Sequence, residues 1–167
     1  MKDTTHNQEK YFEPVPERVR TLQLLRAGAY QFAIFADEIA AIAPWQQPTP
    51  LPHSPQSVLG VVSIQGRLLT VLDLALITGQ ESSAIQGDEN SGRHIIALRG
   101  DEQLALAVDD VSNTLVPAAG DFVEHAETAP AFVHRLLRCN GGNIIVLNLK
   151  ELFPAAIHGR ERRRRSF

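Results

Sequence analysis

A degraded internal duplication constrains this chain more than any single motif. The run Ile64-Gln65-Gly66-Arg67-Leu68-Leu69-Thr70-Val71-Leu72-Asp73-Leu74 returns 75 residues later as Cys139-Asn140-Gly141-Gly142-Asn143-Ile144-Ile145-Val146-Leu147-Asn148-Leu149. Gly141 then stands over Gly66, Asn148 over Asp73 and Leu149 over Leu74. An upstream block behaves the same way, with Gly28 to Ile39 standing over Gly100 to Val111 at an offset of 72. Two blocks repeated in the same order imply two similar half-units, about 18–79 and 93–153, each containing paired strands. A solenoid needs at least three shorter repeats, so that architecture is disfavoured.

The best-preserved block predicts a hairpin. Val61 to Ile64 and Leu68 to Leu72 are rich in β-branched and aliphatic residues and flank Gln65-Gly66-Arg67. Gly66 supplies the positive φ that a tight connection needs, and Gly141 occupies the matching place in the copy. Both runs are nearly continuously apolar, which predicts strands covered on both faces. Asp73 is placed to cap a helical turn over Leu74 to Ile77 that Gly79 ends. Gly66, Asp73 and Gly141 are thus the structural turn residues.

In chain order, Met1 to Glu17 is a polar extension whose Pro14 and Pro16 argue against regular structure, and it is expected to be mobile. Strands are predicted over Val19 to Leu25 and Tyr30 to Phe35, joined through Arg26-Ala27-Gly28-Ala29. Asp37 to Ile42 fits a helical turn and a twisted edge strand equally badly. Five prolines between Pro44 and Pro55 dictate an extended loop, read as a rigid connector, with a ligand for proline-binding modules as the sharper alternative. Gln80 to Gly92 is an exposed polar loop between the halves. Strands follow at His94 to Leu98, Gln103 to Val108 and Val111 to Val116, the last halted by Pro117. Residues 118–130 are irregular and acidic, Phe132 to Leu137 leads into the hairpin copy, and Leu149 to Phe153 forms a short helix stopped by Pro154.

Size and chemistry narrow the function classes. A chain of 167 residues with 44% hydrophobic content buries a full core as one domain or two intimate subdomains. A single cysteine, Cys139, fits a reducing compartment. The N-terminus has no apolar signal region and no run reaches the length of a membrane span, so a cytoplasmic location is expected. The six histidines, at 6, 53, 94, 125, 134 and 158, lack metal-ligand spacing, and no cofactor is implied. No phosphate loop, dinucleotide fingerprint or nucleophile elbow occurs, and the adjacent pairs Asp37-Glu38 and Asp109-Asp110 read as solvated charges or caps. An enzyme is therefore not expected.

Charge is uneven along the chain. Setting aside the five arginines and Glu161 of the segment 159–167 leaves 11 basic against 18 acidic residues, so the body carries about -7 and the end +4. The strands lack the interleaved basic and aromatic residues of nucleic-acid-binding barrels. Nucleic acid is thus a poor partner for the body, and a nucleic-acid or acidic-partner module acting through the Arg-rich end stays as the alternative function.

Taken together, Leu51-Pro52-His53-Ser54-Pro55, Val58-Leu59-Gly60-Val61-Val62-Ser63-Ile64-Gln65-Gly66, Leu69-Thr70-Val71-Leu72-Asp73-Leu74 and Leu106-Ala107-Val108-Asp109-Asp110-Val111 resemble the bacterial chemotaxis coupling protein (CheW) family, from about Arg18 to Phe153. The family pattern is V-x-G-V-x-N-L-R-G followed by P-V-x-D-L, with L-x-V-D-x-V further on. The resemblance implies a mostly β fold of two intertwined five-stranded SH3-like β-barrels with short helices. It further implies a non-catalytic scaffold linking a chemotaxis-type histidine kinase to the cytoplasmic tip of a methyl-accepting chemoreceptor, and it places Ile39, Ile42, Gly60, Val61, Val62, Gln65 and Val108 near partner contacts. Ser63, Gln65 and Thr70 replace the usual Asn, Arg and Pro, and Ala41 stands where a Glu is common. These departures imply a divergent member with altered partner choice, serving another array such as one for twitching motility.

Overall fold

The computed structural model describes residues 20–81, 92–100, 103–124 and 126–157. The N-terminal extension, most of the loop after Gln80 and the Arg-rich end lie outside them. Eleven strands are formed within this range: β1 (Leu22–Ala27), β2 (Tyr30–Phe35), β3 (Ile39–Pro44), β4 (Val58–Ile64), β5 (Arg67–Asp73), β6 (His94–Leu98), β7 (Leu104–Val108), β8 (Asp110–Leu115), β9 (Phe122–Val123), β10 (Val133–Cys139) and β11 (Gly142–Leu147). Among the described residues helix is confined to three-residue 3-10 turns, α1 (Leu74–Ile77) and a final helix α2 over 152–157.

Local sequence explains the turns. Gln65 and Gly66 both take positive φ, at 51° and 77°, and Ile64 pairs with Arg67, giving the two-residue hairpin whose twist suits the flanking strands. Asn140 and Gly141 repeat it at 49° and 81°. The Asp73 side chain accepts a hydrogen bond from Leu76 N at 3.2 Å, capping α1, and Gly79 closes the helix at φ 84°. The ambiguous stretch 37–42 splits between both readings: Ala36–Glu38 is a 3-10 turn held by Arg20, which donates twice to Asp37 at 2.7 and 3.1 Å, and Ile39 opens a strand.

Two expectations are corrected. Pro154 does not stop a helix; it sits in the first turn of α2, where backbone N–H groups have no intrahelical acceptor and a proline removes nothing. The central hairpin is also not covered on both faces throughout. β4 alternates, with Val58, Gly60, Val62 and Ile64 buried and Ser63 exposed, and Leu68 on β5 is 65% exposed. Only the second half of β5, Val71-Leu72-Asp73, is enclosed on both sides.

The halves interlock. One sheet has the order β8-β1-β2-β11-β10-β9 and the other β3-β6-β7-β5-β4. The β6–β7 pair lies between β3 and β5 of the first half, and β1–β2 lies between β8 and β11 of the second. The duplication is visible in the pairing itself: Val71 faces Ala105 in the parallel β5–β7 contact, and their counterparts Val146 and Ala33 face each other in the parallel β11–β2 contact. The two SH3-like units expected from the resemblance correspond to these sheets, the first gaining the two-residue β9 as a sixth strand. Each covers its own apolar cluster, Val62, Leu69, Val71 and Ile95 in one and Leu22, Ala33, Leu137 and Ile144 in the other. A third cluster, including Phe32, Ile34, Leu72, Leu106 and Leu152, fuses the sheets.

Polar clasps reinforce that seam. Asp109 accepts from Gly28 N at 2.6 Å, and buried Arg93 places its Nε 3.7 Å from the same carboxylate while its guanidinium carbon lies 4.0 Å from the Trp45 ring centroid. Gln80 departs from the expected exposed loop: its Nε2 donates to Ala27 O at 2.9 Å and its Oε1 accepts from Ala29 N at 2.8 Å. The proline loop does more than connect, because Thr49 exchanges two 2.9 Å hydrogen bonds with Val61 and covers the outer edge of β4.

Three substitutions test this description by thermal unfolding. Gly66→Val meets no neighbour within 4 Å, so it should cost only backbone strain, about 1–2 kcal/mol. Gly60→Val should cost roughly 3 kcal/mol or more, because a Cβ there, at φ 142°, would run into the Thr49 carbonyl. Equal losses from the two would show that the loop does not press on β4. Gln80→Ala should lower stability by about 1–3 kcal/mol by stranding half-buried backbone groups, and an unchanged melting curve would refute the clasp.

Candidate docking site

A cleft of about 450 Å³ opens beside the turn between β6 and β7, lined by Glu38, Leu98, Arg99, Gly100, Gln103, Leu104, Leu149 and Lys150. Leu98 and Leu104 come from strands that face the fused core, and Leu149 enters from the 3-10 turn after β11, so the floor is aliphatic. The polar groups stand around it. Arg99 donates from Nε to Ile39 O at 3.1 Å, which ties the rim to β3.

Two neighbouring carboxylates at this end behave oppositely. Hydrogen bonding from Arg20 holds Asp37 below the usual carboxylate range. Burial pushes Glu38 up, only partly countered by Arg20 and Lys150. Arg20 approaches Glu38 no closer than 3.9 Å while its guanidinium carbon lies 3.7 Å from the Phe35 ring centroid. Glu38 Oε2 is shielded from solvent and has no hydrogen-bond partner. Of the pairs read as solvated charges or caps, Asp109 is mostly enclosed and accepts from the Gly28 amide, while Glu38 is half-buried. Among the described residues no three His, Cys, Asp or Glu side chains converge as metal ligands, and no helix is long and apolar enough to cross a membrane. The arrangement offers an apolar seat with flanking charges, which is chemistry for binding.

The duplication supplies an internal comparison. At offsets of 72 and 75, the cleft residues Leu98, Arg99, Gly100, Gln103, Leu104 and Leu149 correspond to Arg26, Ala27, Gly28, Gln31, Phe32 and Leu74. In that copy Gln80 fills the notch against the β1–β2 turn. The likeness stops there, because Gln80 lies beyond the end of α1 whereas residue 155 lies within α2.

The residues that the resemblance placed near partners do not form one patch. Ile39 is half-buried against the fused core and adjoins the cleft by pairing with Leu98. Ile42, 43% exposed, points outward from β3. Gly60, Val61 and Val62 lie on β4, at the other end of the strand order; Gly60 and Val62 are buried and Val61 is held by Thr49. Gln65 is exposed at the hairpin tip, whereas Val108 is 1% exposed and presents no surface. Ala41 packs against the cluster of Val62 and Ile95, so a Glu there would enter apolar surroundings, and the outward neighbours on β3 are Ala40 and Ile42. Sequence reasoning missed Glu38, Arg99 and Lys150. Their signal was the offset between copies, which sets Lys150 against Ala75 and Arg99 against Ala27.

Comparison with known proteins agrees with this architecture. The family model described as CheW-like domain matches residues 21–156. A chemotaxis protein CheW of Rhizobium meliloti (strain 1021) is 28% identical over 142 residues, covering 81% of this chain and 88% of that protein. A probable chemotaxis protein CheW of Rhizobium etli is 31% identical over 98 residues, covering 58% and 60%. The crystal structure of the scaffolding protein TtCheW from Thermoanaerobacter tengcongensis superposes with a TM-score of 0.72 at 17% identity, covering 80% of this chain and 92% of that one, a likeness of fold. With a family match spanning the whole two-sheet body, the duplicated hairpins and their interlocked pairing have a common explanation: the chain belongs to the CheW-like domain family.

Proposed function

We propose that this protein is a non-catalytic cytoplasmic scaffold that couples a chemotaxis-type histidine kinase to the cytoplasmic tip of a methyl-accepting chemoreceptor, in chemotaxis or twitching motility. The observation that carries the reading is the family match over 21–156 on a body whose inter-sheet cleft is open on an apolar floor. A helical hairpin tip presents aliphatic residues at helical spacing, and such a stripe suits a rigid aliphatic seat. The exposed Ile42, Gln65 and Leu68 lie away from the core and offer contacts to a second partner. The domain is taken to run over 18–153. The match ends before the Arg-rich segment, so a nucleic-acid or acidic-partner module acting through that segment gains no support from it.

The test is reconstitution from purified parts. The protein should bridge the kinase and a receptor cytoplasmic fragment encoded beside it, so that each co-purifies with the other only when the protein is present. Ile42→Lys should weaken co-purification of one partner about tenfold while shifting stability by no more than about 0.5 kcal/mol, as an exposed position allows. Ile39→Lys and Ala41→Glu should instead lower stability, because both side chains pack inward. Kinase and receptor that associate equally well without the protein would overturn the reading.

A further inference from the structure

We infer that residues 8–19 of this chain fold back over the cleft, with Tyr11 and Phe12 covering Leu98, Leu104 and Leu149, so that a docking partner must displace the protein's own N-terminal segment. The inference rests on the docking reading above for what is displaced, and it adds a built-in competitor to that site.

The place where the chain enters the fold carries the argument. Thr21 O accepts from Ala36 N at 2.8 Å and Arg20 donates twice to Asp37, so the chain arrives directly over the 3-10 turn whose last residue, Glu38, lines the cleft. The duplication shows that the reach is sufficient. At the offset of 72, Gly92 corresponds to Arg20, and the β1–β2 turn corresponds to the β6–β7 turn that borders the cleft. Twelve residues carry the chain from Gln80, whose side chain is seated on the β1–β2 turn, to Gly92, and the same number leads from Gln8 to Arg20. Gln8-Glu9 also repeats Gln80-Glu81 at that offset. The stretch leading into β6 thus starts against one turn, and the stretch leading into β1 is long enough to lie against the other.

Composition selects this segment over the other end of the chain. Around the cleft Arg20, Arg99 and Lys150 stand against Asp37, Glu38 and, between β6 and β7, Asp101 and Glu102, so the rim is close to balanced and attracts little by charge alone. Its floor of leucines favours an apolar guest. Residues 8–19 are close to neutral as well, with Lys10 and Arg18 against Glu9, Glu13 and Glu17, and they carry two adjacent aromatic rings with large apolar area to bury. Pro14 and Pro16 fix φ between those rings and Arg20, which lowers the conformational entropy lost on docking. Residues 158–167 offer a single apolar side chain, Phe167, among five arginines.

The experiment uses the full chain labelled with ¹⁵N, carrying Cys139→Ser and a nitroxide attached through Asn7→Cys. The label should broaden the amides of Leu98, Gly100, Gln103 and Leu104 more strongly than those of Ala27, Gly28 and Ala29, and a nitroxide placed instead through Ser166→Cys should leave the cleft amides sharp. Tyr11→Ser with Phe12→Ser should abolish the broadening from position 7 and tighten binding of the receptor cytoplasmic fragment at least about threefold, because the fraction of molecules with an open cleft rises. Broadening spread evenly over the surface or centred on another patch, a stronger effect on the cleft from position 166, or a receptor affinity unchanged by the serine pair would overturn the inference. The label on the unsubstituted aromatic pair decides if the serine variant does not fold. It also reports with no partner present, so a receptor fragment that binds neither form would strike the docking reading while the broadening pattern still decides where the segment lies.

Discussion

Insertion of each hairpin between two strands of the opposite half is the constraint from which the rest of the molecule follows. β6–β7 is gripped by β3 on one side and by β5, running parallel, on the other; β1–β2 is gripped in the same way by β8 and β11. Strands held on both edges have no free ladder groups, which explains why β7 is buried along its whole length and why Phe32, Ala33 and Ile34 are fully enclosed. The apolar surface left over cannot be hidden within either half. It meets in the middle as the third cluster, which is built from residues of both sequence halves.

The local part of this architecture was legible in the residues. Two-residue turns at Gln65-Gly66 and Asn140-Gly141, and the cap at Asp73, depend on backbone preferences that act over three or four positions. What was not legible depends on tertiary register. β3 does alternate in burial, with Ala40 and Ile42 more exposed than Ile39, Ala41 and Ala43, but a strand made mostly of alanine carries no polar–apolar contrast that would report its faces. Val108 looked like a contact residue and is core, because its side chain packs into the cluster that fuses the two sheets. Gln80 sat in a run of polar residues that reads as loop, and only the spatial neighbour, the β1–β2 turn, gives it a role. Pro154 misled for a simpler reason: its meaning depends on whether it falls inside a helix or in the first turn, and the boundary itself was unknown.

The two copies share a backbone and differ in how they spend their polar side chains. Asp109 reaches across to the Gly28 amide, whereas its counterpart Asp37 turns to Arg20 on its own side. Gln80 seals the notch beside the β1–β2 turn, whereas past Leu149 the second copy runs on into α2. The two copies thus differ in side chains that contribute little to the shared pairing pattern.

Interlocking also sets an order of events. During synthesis β1 and β2 emerge first, yet the strand that completes their sheet, β11, arrives almost at the far end of the described chain. Until then the partner edge of β2, carrying Phe32, has only its own hairpin for company, and a two-stranded ribbon is marginal in water. Closure of such long-range pairings is slow compared with local turns. An apolar strand edge thus stays open to other chains until the last hairpin pairs with it.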